Sequence, residues 1–177
     1  MNTTHKSYWK ENTLFGLLIG GSFSMASLLF IWGGKSVAMN PQLNNVIMLL
    51  TIFGVFVGAK KYRDEALGGV ISYGKALGAG LYLLLIASAV YAIYTYALYA
   101  SSDELFSTYK TNMLETLKLV YEGTPIYNTL LETFNMFLMP VSIAMGEFFN
   151  HIVTGGIFTV LLAWFVKRKP QDFQQQV

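Results

Sequence analysis

Three groups of residues have types and spacings that could do chemistry. The first is residues 69–76, which read GVISYGKA. Gly69, Gly74 and Lys75 fall on the phosphate-cradling spacing G-x-x-x-x-G-K-[ST]. That loop works because glycine backbone N–H groups wrap the phosphates, lysine reaches the outer ones, and the next hydroxyl holds Mg²⁺. Here the next residue is Ala76, which has no oxygen to offer. The preceding EALGG does not read as a buried strand, and the following ALGAGLYLLLIASAVYAIY is an apolar run of membrane character. The spacing is therefore not read as a nucleotide site, and no nucleotide is expected as a partner.

The second group is Glu147, Asn150 and His151. Residues at i and i+4 share a helix face, so Glu147 and His151 come together if this segment is helical. An ionisable pair inside an apolar segment could be a proton or ion site, or half of a metal site. Glu-x-x-x-His supplies two ligands where zinc needs three or four, and His5 is the only other histidine. The competing reading is a glutamate reaching the membrane boundary beside a histidine hydrogen-bonded within a helical bundle. The third group is the charged stretch Lys60, Lys61, Arg63 and Asp64, with Lys75 further on. It reads as a solvated cytoplasmic loop with internal ion pairs, or as a contact for a partner or anionic lipid. No nucleophile–base set, paired carboxylates or cofactor fingerprint is visible, and the chain has no cysteine. Disulfide and thiol chemistry are thereby excluded. No catalytic residue, metal or cofactor is expected.

The elements that must position these residues are set by composition. Hydrophobic residues make up 54% and charged residues 12% of 177, against about 25% charged in a soluble domain. Four charge-free runs stand out: 12–34, 36–59, 76–102 and 148–166. Each approaches or exceeds the roughly 20 residues a helix needs to cross a hydrocarbon core about 30 Å thick. The pattern predicts an all-α integral membrane protein in one membrane domain, with spans at about 12–32, 43–59, 76–99 and 141–166. Leu14–Trp32 is longer than a signal h-region and continues past Ser24-Met25-Ala26, so it is expected to be a span rather than a leader.

Basic residues divide unevenly between the two ends of these spans. Nine (Lys6, Lys10, Lys60, Lys61, Arg63, Lys75, Lys167, Arg168, Lys169) fall on one side and three (Lys35, Lys110, Lys118) on the other. The positive-inside rule then puts both termini in the cytoplasm, which four spans also require. Trp9, Trp32 and Trp164 lie near span ends as interface anchors. Tyr91, Tyr94, Tyr96 and Tyr99 are either further anchors or an aromatic packing face. Tyr8-Trp9-Lys10 and Tyr73-Gly74-Lys75 precede the first and third spans alike, which leaves room for an internal duplication. Within the spans, Gly16 and Gly20, Gly54 and Gly58, and Gly74 and Gly78 sit at small-xxx-small spacing, which permits close helix approach in a bundle or across a dimer face. Ala76 and Gly80 repeat it.

The connection at about 100–140 carries two helical stripes, Phe106–Tyr121 and Tyr127–Leu138. Ser101 with Glu104 suits a capping box, and Thr124-Pro125 suits a second helix start. An extracytoplasmic helical hairpin is expected there. Five acids against Lys110 and Lys118 give it a net charge of −3, which disfavours nucleic acid and anionic lipid.

The stretch AKKYRDEALGGVISYGKALGAG resembles a family of small membrane proteins found mainly in Bacteroidota and known only as domain of unknown function 4199. The residues that carry the likeness are Lys60, Tyr62, Arg63, Asp64, Gly68, Gly69, Ile71, Tyr73, Gly74, Lys75 and Ala76. Tyr73 and Leu77 stand where aromatic residues are usual, and Phe137–Pro140 and the terminal KRK are also similar. The resemblance implies a four-span fold in a bacterial inner membrane and brings no activity. Two functions are left open. One is a non-catalytic accessory or homo-oligomeric subunit, whose partners are the lipid bilayer, its own copies or another membrane protein. The other is a small transporter or channel subunit with its polar site at Glu147, Asn150 and His151.

Overall fold

The structure, a computed structural model, describes residues 8–38 and 40–169. His5, Lys6 and the side chains of Tyr8, Trp9 and Lys10 lie outside the described residues. Six α-helices are described: α1 (Tyr8–Trp32), α2 (Pro41–Lys61), α3 (Tyr73–Ser101), α4 (Asp103–Tyr121), α5 (Tyr127–Phe137) and α6 (Pro140–Val166). A π-helical turn, Tyr62–Ala66, extends α2.

Four segments are long and apolar enough to cross a membrane: Asn12–Trp32, Pro41–Ala66, Tyr73–Ser101 and Pro140–Val166. The shortest has 21 residues, and at 1.5 Å per residue it reaches about 30 Å. Leu14, Leu18, Phe53, Ile93, Val153 and Trp164 all face outward. Helices this apolar on their outer faces are stable in lipid, where water is absent and every backbone group is satisfied within its own helix. The chain is a multi-pass membrane protein with an all-α fold.

Local sequence sets most helix starts. Asn40 accepts hydrogen bonds from the Gln42 and Leu43 amides at 2.9 and 3.3 Å, with Pro41 in the first turn of α2. Ser72 accepts from the Lys75 amide and opens α3. Two expected caps are displaced. The cap of α4 is Ser102, whose hydroxyl accepts from the Leu105 amide, while Ser101 ends α3 and donates to the Leu98 carbonyl. Thr124 donates to the Tyr121 carbonyl and belongs to the turn after α4, so α5 starts later, at Tyr127, with no side-chain cap. Gly123, at φ 85°, takes that turn through the left-handed region.

The charged segment 60–75 is not a loop throughout. Lys60 and Lys61 end α2, Arg63 and Asp64 lie in the π-helical turn, and Lys75 is in the first turn of α3. The helix persists because the expected breakers, Gly68 and Gly69, come only after it, both at positive φ.

Helix α3 is central, packing most extensively on α6 and then α1. Its buried stripe is built from small residues: Ala76, Ala79, Gly80, Ala87 and Ser88, with Leu83 and Leu84 between them. Gly80 lies so close to α6 that a Cβ there would sit 2.5 Å from Thr159 Cγ2. Gly16, Gly20, Gly54 and Gly58 are also filled by neighbours within the chain: Ile86, Val90, Ile19 and Leu83 respectively. Gly74 and Gly78 are exposed, and a Cβ at either would meet nothing within 4 Å. They therefore take no part in packing within the chain. They occupy the outward face of α3, because the close approach to α6 runs through Ala76 and Gly80 instead.

The two ends of the bundle differ. At one end, Arg63 Nη1 donates to the Val166 carbonyl at 3.0 Å, and Ile71 and Arg168 exchange two backbone hydrogen bonds of 3.0 Å. At the other end lie the 33–40 connection, α4 and α5. Asn112 donates to Ser36 Oγ, and Tyr109 of α4 packs edge-on against Tyr99 of α3 at 5.2 Å between rings. The tyrosines divide accordingly. Tyr91 and Tyr99 are buried, Tyr94 donates to Ser27 at 3.1 Å, and only Tyr96 faces outward.

Candidate functional site

Above Gly155 the contact between α2 and α6 loosens. Gly155 itself is tightly fitted, with room for no Cβ beside Leu84 and Thr51. One turn towards the α4–α5 end, α6 carries His151, Asn150 and then Glu147 where it carried glycine. A cavity of about 200 Å³ lies there between α2 and α6. Asn44, Thr51, Asn150 and His151 supply its polar lining. Thr51 satisfies its hydroxyl on the Ile47 carbonyl at 2.8 Å, so it presents its methyl side and its oxygen lone pairs.

His151 points into the bundle. It is only 8% exposed, with its ring 5.0 Å from Tyr91 and 5.8 Å from Phe23. Its Nε2 has no hydrogen-bond partner. The nearest charged atom is Glu147 Oε2 at 3.8 Å, beyond hydrogen-bond length and an ion pair only when the imidazole is protonated. An unpaired buried polar nitrogen is expensive. Asn150 and Thr154 are exposed on the same helix, 3.5 Å apart through their side chains.

Glu147 and Asn150 also line a second cavity, of about 450 Å³, beneath α4 and α5. Its walls are mainly apolar: Tyr109, Met113, Phe134, Phe137 and Leu138 face the α6 residues there. Asn44 and Asn150 border both spaces, so a polar and an apolar chamber adjoin in one recess beside α6. Burial, together with the Glu147 carboxylate, pushes the Tyr109 phenol above its ordinary pKa. Among the described residues no group of three or more histidines, cysteines or acids could hold a metal ion.

The structure thus brings Glu147, Asn150 and His151 to one recess, and adds Asn44, Thr51 and Tyr109, which the sequence reading did not single out. Asn44 and Thr51 were within reach of it. They are seven residues apart on one helix face, in a run otherwise almost wholly apolar. Tyr109 was not, because its place depends on how α4 folds back over the bundle.

The charged cluster lies at the opposite end and serves a different purpose. Arg63 forks onto Asp64 at 2.7 and 3.1 Å while its third contact holds Val166. Lys61 approaches Glu65 at 4.0 Å, and Lys60 and Lys75 are exposed. Four of the backbone amides between Gly69 and Ala76 are engaged. Gly69 N–H donates to the Arg63 carbonyl, Ile71 N–H to Arg168, Lys75 N–H to Ser72 Oγ and Ala76 N–H to the Ser72 carbonyl. GVISYGKA is a helix-capping and chain-pairing segment.

Residues 14–168 match the family described as protein of unknown function, DUF4199. The chain belongs to the DUF4199 family. The match takes in all four spans of this DUF4199 protein from Leu14 onward, the Arg63 clasp, both cavities, α4 and α5. No curated protein and no solved structure matches the chain.

Proposed function

We propose that this DUF4199 protein is a single-domain, multi-pass protein of a bacterial inner membrane that binds a small solute in the recess beside α6, as a transporter or channel subunit. The observation that carries this reading is the pair of adjoining cavities beside α6, one lined by His151 and the other by Glu147, with Asn44 and Asn150 bordering both. The asymmetry of lysine and arginine supports cytoplasmic termini, which would put α4, α5 and the mouth of the recess outside the cytoplasm. The packed layer at Gly155, Gly80 and Thr159 closes the floor. In this state the recess is a one-ended binding site, and passage of a solute needs a second state in which α2 and α6 part below Thr51.

The chain's lack of cysteine makes the test direct. Single Thr51→Cys and Asn150→Cys variants in right-side-out vesicles should react with a membrane-impermeant thiosulfonate, whereas Val55→Cys, in the packed layer, should not. Failure of both recess positions to react would remove the recess as a solute site; reaction only in inverted vesicles would reverse the topology.

A second reading rests on Gly74 and Gly78, which are exposed on one face of α3 with open space before them. Such a strip lets another transmembrane helix approach closely. It favours an accessory or homo-oligomeric role, read by disulfide cross-linking through cysteines placed at these two positions.

A further inference from the structure

The recess has chemistry specific enough to select its occupant. Glu147 is partly buried on the wall of the larger chamber, and among the described residues no lysine or arginine pairs with it. Of the three lysines at that end, Lys118 approaches Glu122 at 3.7 Å, Lys35 sits over the Phe30 ring and bonds Gln42, and Lys110, half-buried on α4, makes no ion pair with Glu147. A carboxylate shielded from water without a fixed counter-charge favours a cationic guest. The same chamber presents the rings of Tyr109, Phe134 and Phe137. Aromatic faces attract weakly hydrated cations through their quadrupoles, most effectively where water is excluded. The 100–140 segment that covers the chamber carries a net charge of −3, which favours cations over anions near it.

Resting on the reading of the recess as a solute site, we infer that its substrate class is an amphipathic organic monocation, with the ammonium centre at Glu147 and the apolar body against Tyr109, Phe134 and Phe137. Other classes meet specific obstacles. An anion would face the carboxylate with no basic group except an imidazole. A divalent metal would find two protein ligands where it needs more, in apolar walls that cannot replace its hydration shell. A neutral apolar guest would gain nothing from the Glu147 carboxylate. A chamber of about 450 Å³ fits a one-ring organic molecule with room to spare, within the usual range of ligand pockets.

The test uses the full chain in lipid nanodiscs of phosphatidylglycerol, with empty discs subtracted, and benzyltrimethylammonium as the probe. Titration calorimetry should give saturable binding of this cation and at least tenfold weaker binding of benzyl alcohol and benzoate, which share its ring. Glu147→Gln should weaken the cation at least tenfold, and Glu147→Asp by less. An unchanged detergent-unfolding midpoint would show that both variants are folded. Equal binding of benzyl alcohol, or wild-type affinity in Glu147→Gln, would overturn the assignment. The cation should also slow thiosulfonate labelling of Asn150→Cys. Labelling that proceeds unslowed overturns the cation and leaves the solute site standing, whereas absence of labelling removes the site itself. Discs containing phosphatidylethanolamine separate two sources of the ammonium: a drop in probe affinity there assigns the site to a lipid headgroup, and an unchanged affinity assigns it to a free solute.

Discussion

Alanine at position 80 should destabilise the bundle, whereas alanine at position 74 should not, although both glycines belong to the same helix. A Cβ at residue 80 would lie 2.5 Å from Thr159 Cγ2 and 3.1 Å from Val55 Cγ1, well inside ordinary van der Waals contact. Thr159 cannot easily yield. It is β-branched, 1% exposed, and its hydroxyl is held on the Gly155 carbonyl at 2.8 Å. Overpacking of this kind costs about 1–3 kcal/mol. Helix propensity does not offset it, because membrane helices keep their backbone bonds in detergent-unfolded states. Gly74→Ala meets nothing within 4 Å and should change stability by less than about 0.5 kcal/mol. Thr159→Ser removes the clashing methyl and keeps the hydroxyl. Alone it should cost about 0.5–1.5 kcal/mol through the small cavity it leaves; with Gly80→Ala the two penalties should largely cancel, giving a coupling of about 1–3 kcal/mol. Sodium dodecyl sulfate titration in mixed micelles, followed by tyrosine and tryptophan fluorescence, reads all four variants. Equal shifts for the two glycine variants, or a coupling below about 0.5 kcal/mol, would refute the packing of α3 on α6 described here.

Two further outcomes are expected. Single Gly74→Cys and Gly78→Cys variants should form disulfide-linked dimers in native membranes if copies associate through the outward strip of α3, while Ala79→Cys, buried on the opposite face, should not; no linkage at any position would remove that interface. Arg63→Met should release the Val166 carbonyl, removing a charge-assisted bond worth about 1.5–3 kcal/mol, and should speed amide exchange at Lys167 and Arg168 without affecting His151; protection equal to wild type would show that Arg63 does not hold α6.

The spans were legible because lipid demands a long uninterrupted apolar run, and nothing else in a short chain produces four. Their limits were less legible. The second was expected to end at Ala59, but α2 runs on through Lys61 into the π-helical turn, since charge ends a span without ending a helix. The Glu147–His151 pair was legible from its spacing, and its inward direction was not. A helix apolar on every side gives no periodic signal of which face meets its neighbours. The same ambiguity put Gly74 and Gly78 beside Gly54 and Gly58 as equals, although only the second pair is packed within the chain. The recess depends on two facts that no local pattern encodes: α2 and α6 separate above Gly155, and α4 and α5 return across the opening.

The contrast between the two ends gives the bundle a direction. At the 62–72 end, α6 is held three ways: by Arg63 on its last carbonyl, where a cation also suits the negative end of the helix dipole, by the Ile71–Arg168 backbone pair, and by a buried cluster of Ala59, Ile71, Ala76, Ala163 and Val166. Ala76 is 1% exposed in that cluster. A hydroxyl there, the one change that would complete the phosphate-loop spacing, would enter a tightly packed apolar layer. So the residues that carry the family likeness, from Lys60 to Ala76, close one end of the bundle and leave its chemistry to the other. At that other end Ile143, Ala144 and His151 of α6 are buried in the bundle, while Glu147 and Asn150 line a chamber that the α4–α5 segment covers. α5 contributes no buried residue of its own. A helix fixed at one terminus and loosely covered at the other moves most where it is least packed. On the reading of the recess as a solute site, entry belongs at the α4–α5 end, and any second state should displace those helices while the Arg63 clasp stays closed.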